Sequence, residues 1–201
     1  MRSVLSFLAA LVVAPILALG AAQAAPAKTE TAIFSGGCFW CMESDMGSIP
    51  GVVSVESGYT GGTLKNPSYE DVVTEKTGHY ESVRVRFDPT KLPYQRLLAR
   101  YWKLVDPTDA GGQFCDRGPS YKTAVWVTPQ QRPIAEASRA QAAKDLKTGK
   151  MTTEILDAQA FYPAEEYHRD YAKRNRIRYS IYREGCGRDR RLTQVWGQAG
   201  H

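Results

Sequence analysis

Between His79 and Pro89 the chain reads HYESVRVRFDP, and this alternation constrains the fold more than any other stretch. Side chains on an extended strand point to opposite faces in turn. Glu81, Val83, Val85 and Phe87 therefore share one face, and Ser82, Arg84, Arg86 and Asp88 the other. A strand that is apolar on one face must pair in a sheet and lay that face on a second layer. The flanking sequence supplies both. TAIF (31–34) reads as a buried strand ending at Ser35-Gly36-Gly37, and a helix is expected from Cys38, with Phe39, Met42 and Met46 on one side. Pro50-Gly51 ends it, and VVSVESGYTGG (52–62) reads as a second strand running into a glycine turn. After the alternating strand, Pro93 opens an amphipathic helix with Tyr94, Leu97, Leu98, Tyr101 and Val105 on one stripe. YKTAVWV (121–127) is a further strand. The order strand–helix–strand–strand–helix–strand predicts an α/β two-layer sandwich with a ferredoxin-like split βαβ core, long loops and a C-terminal tail.

The rest of the chain is read more coarsely. Residues 63–78 read as loop, with one short element around Tyr69 to Val73. The glycine-rich DAGGQFCDRGPS (109–120) reads as loop too. An Ala-rich helix stops near Gly149. Its start is open, because Thr128 and Gln131 resemble a capping box while Pro133 then falls inside the helix. A strand around TTEIL, a short helix near Glu165 to Arg174 and a basic tail from about residue 175 complete the chain.

At the other end, Arg2 precedes an apolar run from Val4 to Leu19, and Ala22 and Ala24 fit a small-x-small cleavage site before Ala25. Residues 1–24 read as a secretory signal and 25–201 as a single domain. The run is short for a membrane span and Pro15 interrupts it. No Arg-Arg pair marks a twin-arginine route. Export, to a bacterial periplasm or beyond, is therefore expected, with a monomer afterwards. The formal net charge of +5 demands no polyanionic partner. The stretch from His168 to Arg191, rich in Lys, Arg and Tyr, reads as solvated surface and not as a nucleic-acid site.

The chemistry concentrates in FSGGCFWCMES (34–44). Four cysteines in an exported chain suggest disulfides, yet Cys38 and Cys41 share one turn while Cys115 and Cys186 stand alone. Cys38 lies where a strand gives way to a helix, and the free N–H groups there favour a thiolate. Phe39 and Trp40 beside it offer rings suited to a small apolar group such as a methyl on sulfur. Glu81 sits on the apolar face of its strand, where desolvation would keep the carboxyl protonated. A neutral acid beside a thiolate suits a reaction in which sulfur attacks and an oxygen leaves as water. A zinc site from Cys38, Cys41 and His79 is a poorer fit, because the order of the zinc deaminase motifs is reversed and no second Cys-x-x-Cys follows. A thioredoxin-like dithiol at Cys38 and Cys41 leaves Glu81 and the loop tyrosines without a role.

Five ordered blocks then carry a family resemblance: GCFW (37–40), GYTGG (58–62), NPSYEDV (66–72), TGHYESV (77–83) and GGQFCDRGPSYKTAV (111–125). Over about residues 31–196 the chain resembles the A-type peptide methionine sulfoxide reductases. The resemblance implies thiol-dependent reduction of methionine S-sulfoxide, free or in oxidised proteins. It implies Cys38 as the nucleophile, Phe39 and Trp40 as holders of the S-methyl group, and Glu81 as proton donor to the sulfoxide oxygen. Tyr69 and Tyr121 would hydrogen-bond that oxygen, and Asp116 would help to orient substrate. Cys38 would become a sulfenic acid, condense with a second thiol and be recycled by a thioredoxin-like dithiol, with no bound nucleotide or metal. The favoured resolving thiol is Cys186, flanked by glycines in a tail expected to be flexible. Cys41 and Cys115 are the alternatives. A degenerate module that grips methionine without turnover is the remaining rival, and an intact Cys38 and Glu81 argue against it.

Overall fold

The computed structural model of the chain describes residues 28–197. The signal expected at 1–24 lies outside the described residues. Among the described residues no helix is long and apolar enough to cross a membrane.

The elements run β1 (Glu30–Gly36), α1 (Phe39–Gly47), β2 (Val52–Thr60), α2 (Tyr69–Val72), β3 (Tyr80–Phe87), α3 (Tyr94–Lys103), β4 (Gly112–Gln113) and β5 (Asp116–Arg117). A 3₁₀ turn (Pro119–Tyr121), β6 (Thr123–Val127), α4 (Arg132–Asp145), β7 (Glu154–Asp157) and β8 (Phe161–Pro163) follow. A second 3₁₀ turn (Glu166–His168), α5 (Tyr171–Arg174), α6 (Arg176–Gly185) and α7 (Arg188–Trp196) end the described chain. The six-stranded sheet has the order β7-β6-β1-β3-β2-β8. Its middle, β6-β1-β3-β2, pairs antiparallel throughout, which is the ferredoxin-like split βαβ arrangement expected from the element order. Two short additions extend it: β7 pairs parallel with β6, and β8 antiparallel with β2.

The alternating strand behaves as its pattern dictates. Val83, Val85 and Phe87 are fully buried, and they join Phe34, Phe39, Met42, Met46, Leu97, Leu98 and Tyr101 in one apolar core. At the usual 1.5–3 kcal/mol or so per buried large side chain, this shared face is the main reason the layers stay together. Behind it, the Ser35 and Ser82 hydroxyls hydrogen-bond at 2.7 Å, and the Trp126 indole N–H donates to Ser35 at 2.8 Å. Register then fixes the neighbourhood of Cys38. Phe34 pairs with Val83 and Ser35 with Ser82, so the next step sets Glu81 abreast of Gly36, just before the turn into α1.

Four details depart from the sequence reading. The glycine-rich loop contains a hairpin, β4–β5, with Phe114 and Cys115 at its tip and Phe114 in the left-handed region (φ 55°). Strand β8, only three residues long, had no periodicity to reveal it. The start of α4 resolves in favour of both signals. Thr128 and Gln131 exchange the reciprocal capping-box bonds, and Pro133 sits in the first turn, where no N–H is needed. Last, the segment after 175 is not a loose tail. It folds into α6 and α7, whose Leu192, Val195 and Trp196 are buried in the core.

Candidate active site

Strand β1 delivers Cys38 to the mouth of α1. Gly37 turns the chain at φ +76°, a conformation that needs glycine, and Cys38 becomes the N-cap residue, 7% exposed. The first free N–H of α1 does not go to the sulfur. Phe39 N–H donates to Glu81 Oε2 at 2.9 Å, so the backbone ties the carboxyl to the residue after Cys38. Glu81 is 3% exposed. Burial pushes its carboxyl up to about 8; the Phe39 N–H and the Tyr121 hydroxyl restrain the rise, and Asp116 and Cys41 add to it.

Cys38 and Cys41 are both buried free thiols, hydrogen-bonded to each other one helical turn apart. Burial pushes the Cys38 thiol well above its ordinary value, and Cys41 and Glu81 push it further, while the Tyr182 hydroxyl pulls it down. The bond from Cys38 draws Cys41 down to about 7 against its own burial, aided by the Arg188 and Arg183 guanidinium groups. The two thiols therefore titrate as a pair, and loss of a proton from one holds the proton on the other.

Two tyrosines close over this pair. Tyr69 opens α2, whose N-cap Ser68 forms a capping box with Asp71. Its own N–H donates to Glu165 at 2.7 Å, and the other Glu165 oxygen accepts the Tyr59 hydroxyl at 2.9 Å. Tyr121 ends the first 3₁₀ turn, which is pinned by the Ser120 N–H and hydroxyl donating to Glu75 at 2.8 and 2.7 Å. The Tyr69 and Tyr121 hydroxyls hydrogen-bond each other, and Tyr121 also reaches Glu81. Burial raises both phenols, so both keep their protons.

An aromatic wall completes the recess. Trp40 stacks on Tyr171 with centroids 3.7 Å apart, and its indole N–H donates to His168 Nδ1 at 3.1 Å. His168 also faces Phe39 at 5.0 Å and Tyr69 at 4.5 Å. Because Nδ1 accepts, the ring is neutral with its proton on Nε2, and burial holds its pKa below the usual value. Asp116, on β5, accepts the Tyr182 hydroxyl at 2.5 Å. Cys115 and Cys186 form a disulfide with Cα atoms 4.9 Å apart.

The family model for peptide methionine sulfoxide reductase matches residues 30–200. A peptide methionine sulfoxide reductase of Caulobacter vibrioides is 68% identical over 196 residues, spanning 98% of both chains. One from Bacillus licheniformis is 50% identical over 173 residues, covering 85% of this chain and 96% of its own. The solved structure of methionine sulfoxide reductase A of Corynebacterium diphtheriae superposes with a TM-score of 0.66 at 32% identity, covering 80% of this chain and 81% of that one. The chain belongs to the peptide methionine sulfoxide reductase family, as an A-type member.

The structure of this reductase gathers Cys38, Phe39, Trp40, Tyr69, Glu81, Asp116 and Tyr121 at one site, from α1, α2, β3, β5 and the first 3₁₀ turn. Three expectations need correction. Cys38 is pushed toward the thiol and not toward the thiolate, because burial, Cys41 and Glu81 raise its pKa and the Phe39 N–H serves Glu81 instead of the sulfur. Cys186 does not reach Cys38, since α6 and α7 are anchored and its sulfur is bonded to Cys115; Cys41 is the thiol against Cys38. His79, the third ligand of the zinc alternative, has both ring nitrogens engaged by loop backbone, at Gly62 N–H (3.1 Å) and Leu64 C=O (2.8 Å). Four residues of the site escaped the sequence reading: His168, Tyr171, Glu165 and Tyr182. Tyr179 and Tyr182 at i, i+3 in an otherwise basic segment were the available signal, since such a pair marks one helix face turned inward.

Proposed function

We propose that the reductase removes oxygen from (S)-methionine sulfoxide, free or in oxidised proteins, by direct attack of Cys38 on the sulfoxide sulfur. Glu81, protonated up to about pH 8, donates its proton to the oxygen as the S–O bond yields. Cys41, hydrogen-bonded to Cys38, is placed to take the proton that Cys38 gives up. Tyr69 and Tyr121 supply neutral hydroxyl donors to the oxygen. Phe39 and Trp40 hold the S-methyl group, and Asp116 helps orient the substrate. The hydroxyl so formed passes from the substrate sulfur to the Cys38 sulfur as the bond between the two sulfurs breaks, and the products are methionine and the Cys38 sulfenic acid. Attack by Cys41 then forms a Cys38–Cys41 disulfide and releases one water. A thioredoxin-like dithiol reduces that disulfide and is itself oxidised. Export of the chain, argued from residues 1–24, would place this cycle in an oxidising compartment and require a dedicated dithiol donor there.

One observation carries the reading: a buried carboxyl, kept neutral by its surroundings, accepts the N–H of the residue next to a buried cysteine. The test is a thiol count. With the Cys115–Cys186 bond intact, two free thiols are expected before one equivalent of methionine sulfoxide peptide and none after it. Peptide mapping should locate the new bond at Cys38–Cys41, and a Cys38–Cys186 bond would overturn the choice of resolving thiol. Cys38→Ser should release no methionine in a single turnover, and methionine formed at the wild-type yield would remove Cys38 as nucleophile.

A further inference from the structure

Tyr182 stands outside every motif that carries the family resemblance, yet its hydroxyl is within hydrogen-bonding reach of the Cys38 sulfur. The same hydroxyl donates to Asp116 Oδ2 at 2.5 Å, and its ring meets the Trp40 indole edge-on at 5.9 Å. The corner that delivers it, from the end of α6 to the start of α7, meets the β4–β5 hairpin at three points. Cys186 is bonded to Cys115, Tyr182 is bonded to Asp116, and the Arg188 guanidinium lies 4.5 Å from the centroid of the Phe114 ring. These points are adjacent in sequence on both sides. Cys115 precedes Asp116, and Cys186 lies one helical turn after Tyr182, its N–H donating to the Tyr182 carbonyl at 2.9 Å. The disulfide thus closes a small ring around the Tyr182–Asp116 hydrogen bond.

We propose that Tyr182 is a further catalytic residue, its hydroxyl contacting the attacking sulfur, and that the Cys115–Cys186 disulfide is a redox-sensitive latch that holds it there. The latch is reachable, because Cys115 is exposed. A thiolate of an external dithiol attacks the disulfide, forming a mixed disulfide and releasing the other cysteine as a thiol. The second thiol of the donor then displaces the protein. Two electrons and two protons pass to Cys115 and Cys186, and the donor leaves as a disulfide. Freed of the covalent tie, the α6–α7 corner keeps only the Asp116 and Phe114 contacts to the hairpin, and Tyr182 spends less time on Cys38.

The inference rests on Cys38 as the nucleophile. The groups facing that sulfur are Cys41 from α1, Glu81 from β3, Tyr69 from α2 and Tyr182 from α6, with Asp116 of β5 behind Tyr182. Of these, Tyr182 favours the thiolate, while Glu81 and Cys41 oppose it. The experiment follows alkylation of Cys38 by iodoacetamide against pH, with the modified residue assigned by peptide mass spectrometry. Alkylation needs no sulfoxide turnover, so it reads the Tyr182 contact even if the proposed reaction fails, and the Cys38→Ser single turnover reads that failure separately.

Tyr182→Phe should move the alkylation midpoint up by about one pH unit, roughly a tenfold loss of thiolate below it. Cys115→Ser/Cys186→Ser should move it the same way. Adding Tyr182→Phe to that pair should give no more than Tyr182→Phe alone, because the changes act through one contact. An unmoved midpoint in Tyr182→Phe overturns the contact. A midpoint that moves in Tyr182→Phe but not in the double serine variant overturns the latch. Wild-type protein compared before and after selective reduction of Cys115–Cys186 keeps the test decisive if the double variant does not fold.

Discussion

A carboxyl that keeps its proton to about pH 8 in a dry site is a liability to the folded state, and Glu81 is one. In the unfolded chain it ionises at its ordinary value near 4.5. Between 4.5 and about 8 the folded protein therefore binds more protons at this position than the unfolded one, and stability falls as pH rises through that window. Glu81→Gln removes the titration while keeping an oxygen for the Phe39 N–H. The variant should be more stable than wild type at pH 7, by up to about 3 kcal/mol on linkage grounds, and the gap should close by pH 5. The same variant should reduce sulfoxide about 10²-fold more slowly, the usual cost of a lost general acid. Thermal unfolding at the two pH values and a single-turnover assay measure both. A stability gap that ignores pH would mean that Glu81 is ionised in the native site. Wild-type activity should itself decline as pH rises past about 8, since the donor proton is then gone.

At the level of elements, the β1–α1 junction does more for the site than either element alone. A Cβ on Gly37 would meet the Gln113 Cβ at 2.5 Å, on a backbone already at φ +76°. Gln113 cannot retreat: it is fully buried, accepts the Asp106 N–H at 2.9 Å and donates to the Asp106 and Gly112 carbonyls at 2.8 Å each. Gly37→Ala should therefore cost on the order of 2 kcal/mol. It should also lower single-turnover activity beyond any loss of folded protein, because the displaced turn carries Cys38. Urea denaturation and activity per folded molecule separate the two effects. This junction was legible in the sequence, as were the split βαβ core and the buried face of β3, because each is written in local pattern: glycines at a turn, period two in a strand, a stripe on a helix. The hairpin β4–β5, the strand β8 and the helices after 175 were not. Two- and three-residue strands have no period to read. The charged residues of α7 masked a buried face whose Arg188 donates to the Met42 sulfur and the Leu104 carbonyl and whose Trp196 donates to the Val105 carbonyl, all far away in sequence. The same distance hid Tyr182 and the Cys115–Cys186 bond, since pairing across 71 residues is decided by tertiary contact and not by spacing.

For the molecule as a whole, α7 acts as part of the core and α6 as a wall behind the active site. Leu192 and Val195 are fully buried, Trp196 nearly so, with its indole N–H donating to the Val105 carbonyl at 3.0 Å. Arg188, 1% exposed, donates to the Leu104 carbonyl at 2.6 Å and lies 3.5 Å from Asp45. It also contributes to lowering the Cys41 pKa. A chain ending at Glu184 would lose three buried apolar side chains, worth roughly 6 kcal/mol together. That is comparable with the whole stability of an ordinary domain, about 5–15 kcal/mol. Opening Cys115–Cys186 alone removes a cross-link across 71 residues, which chain entropy values at about 4 kcal/mol, but it leaves every buried contact available. The two changes should therefore differ in kind. Cys115→Ser/Cys186→Ser should unfold cooperatively in urea at a lower midpoint, with a denaturant slope no smaller than that of the wild type, since the freed unfolded chain exposes more surface. The chain ending at Glu184 should show no cooperative transition, and its Cys41 should lose the reactivity at neutral pH that Arg188 supports. A truncated chain that unfolded at the wild-type midpoint would make α7 an appendage and leave the orientation of α6, and with it Tyr182, to be explained by the hairpin contacts alone.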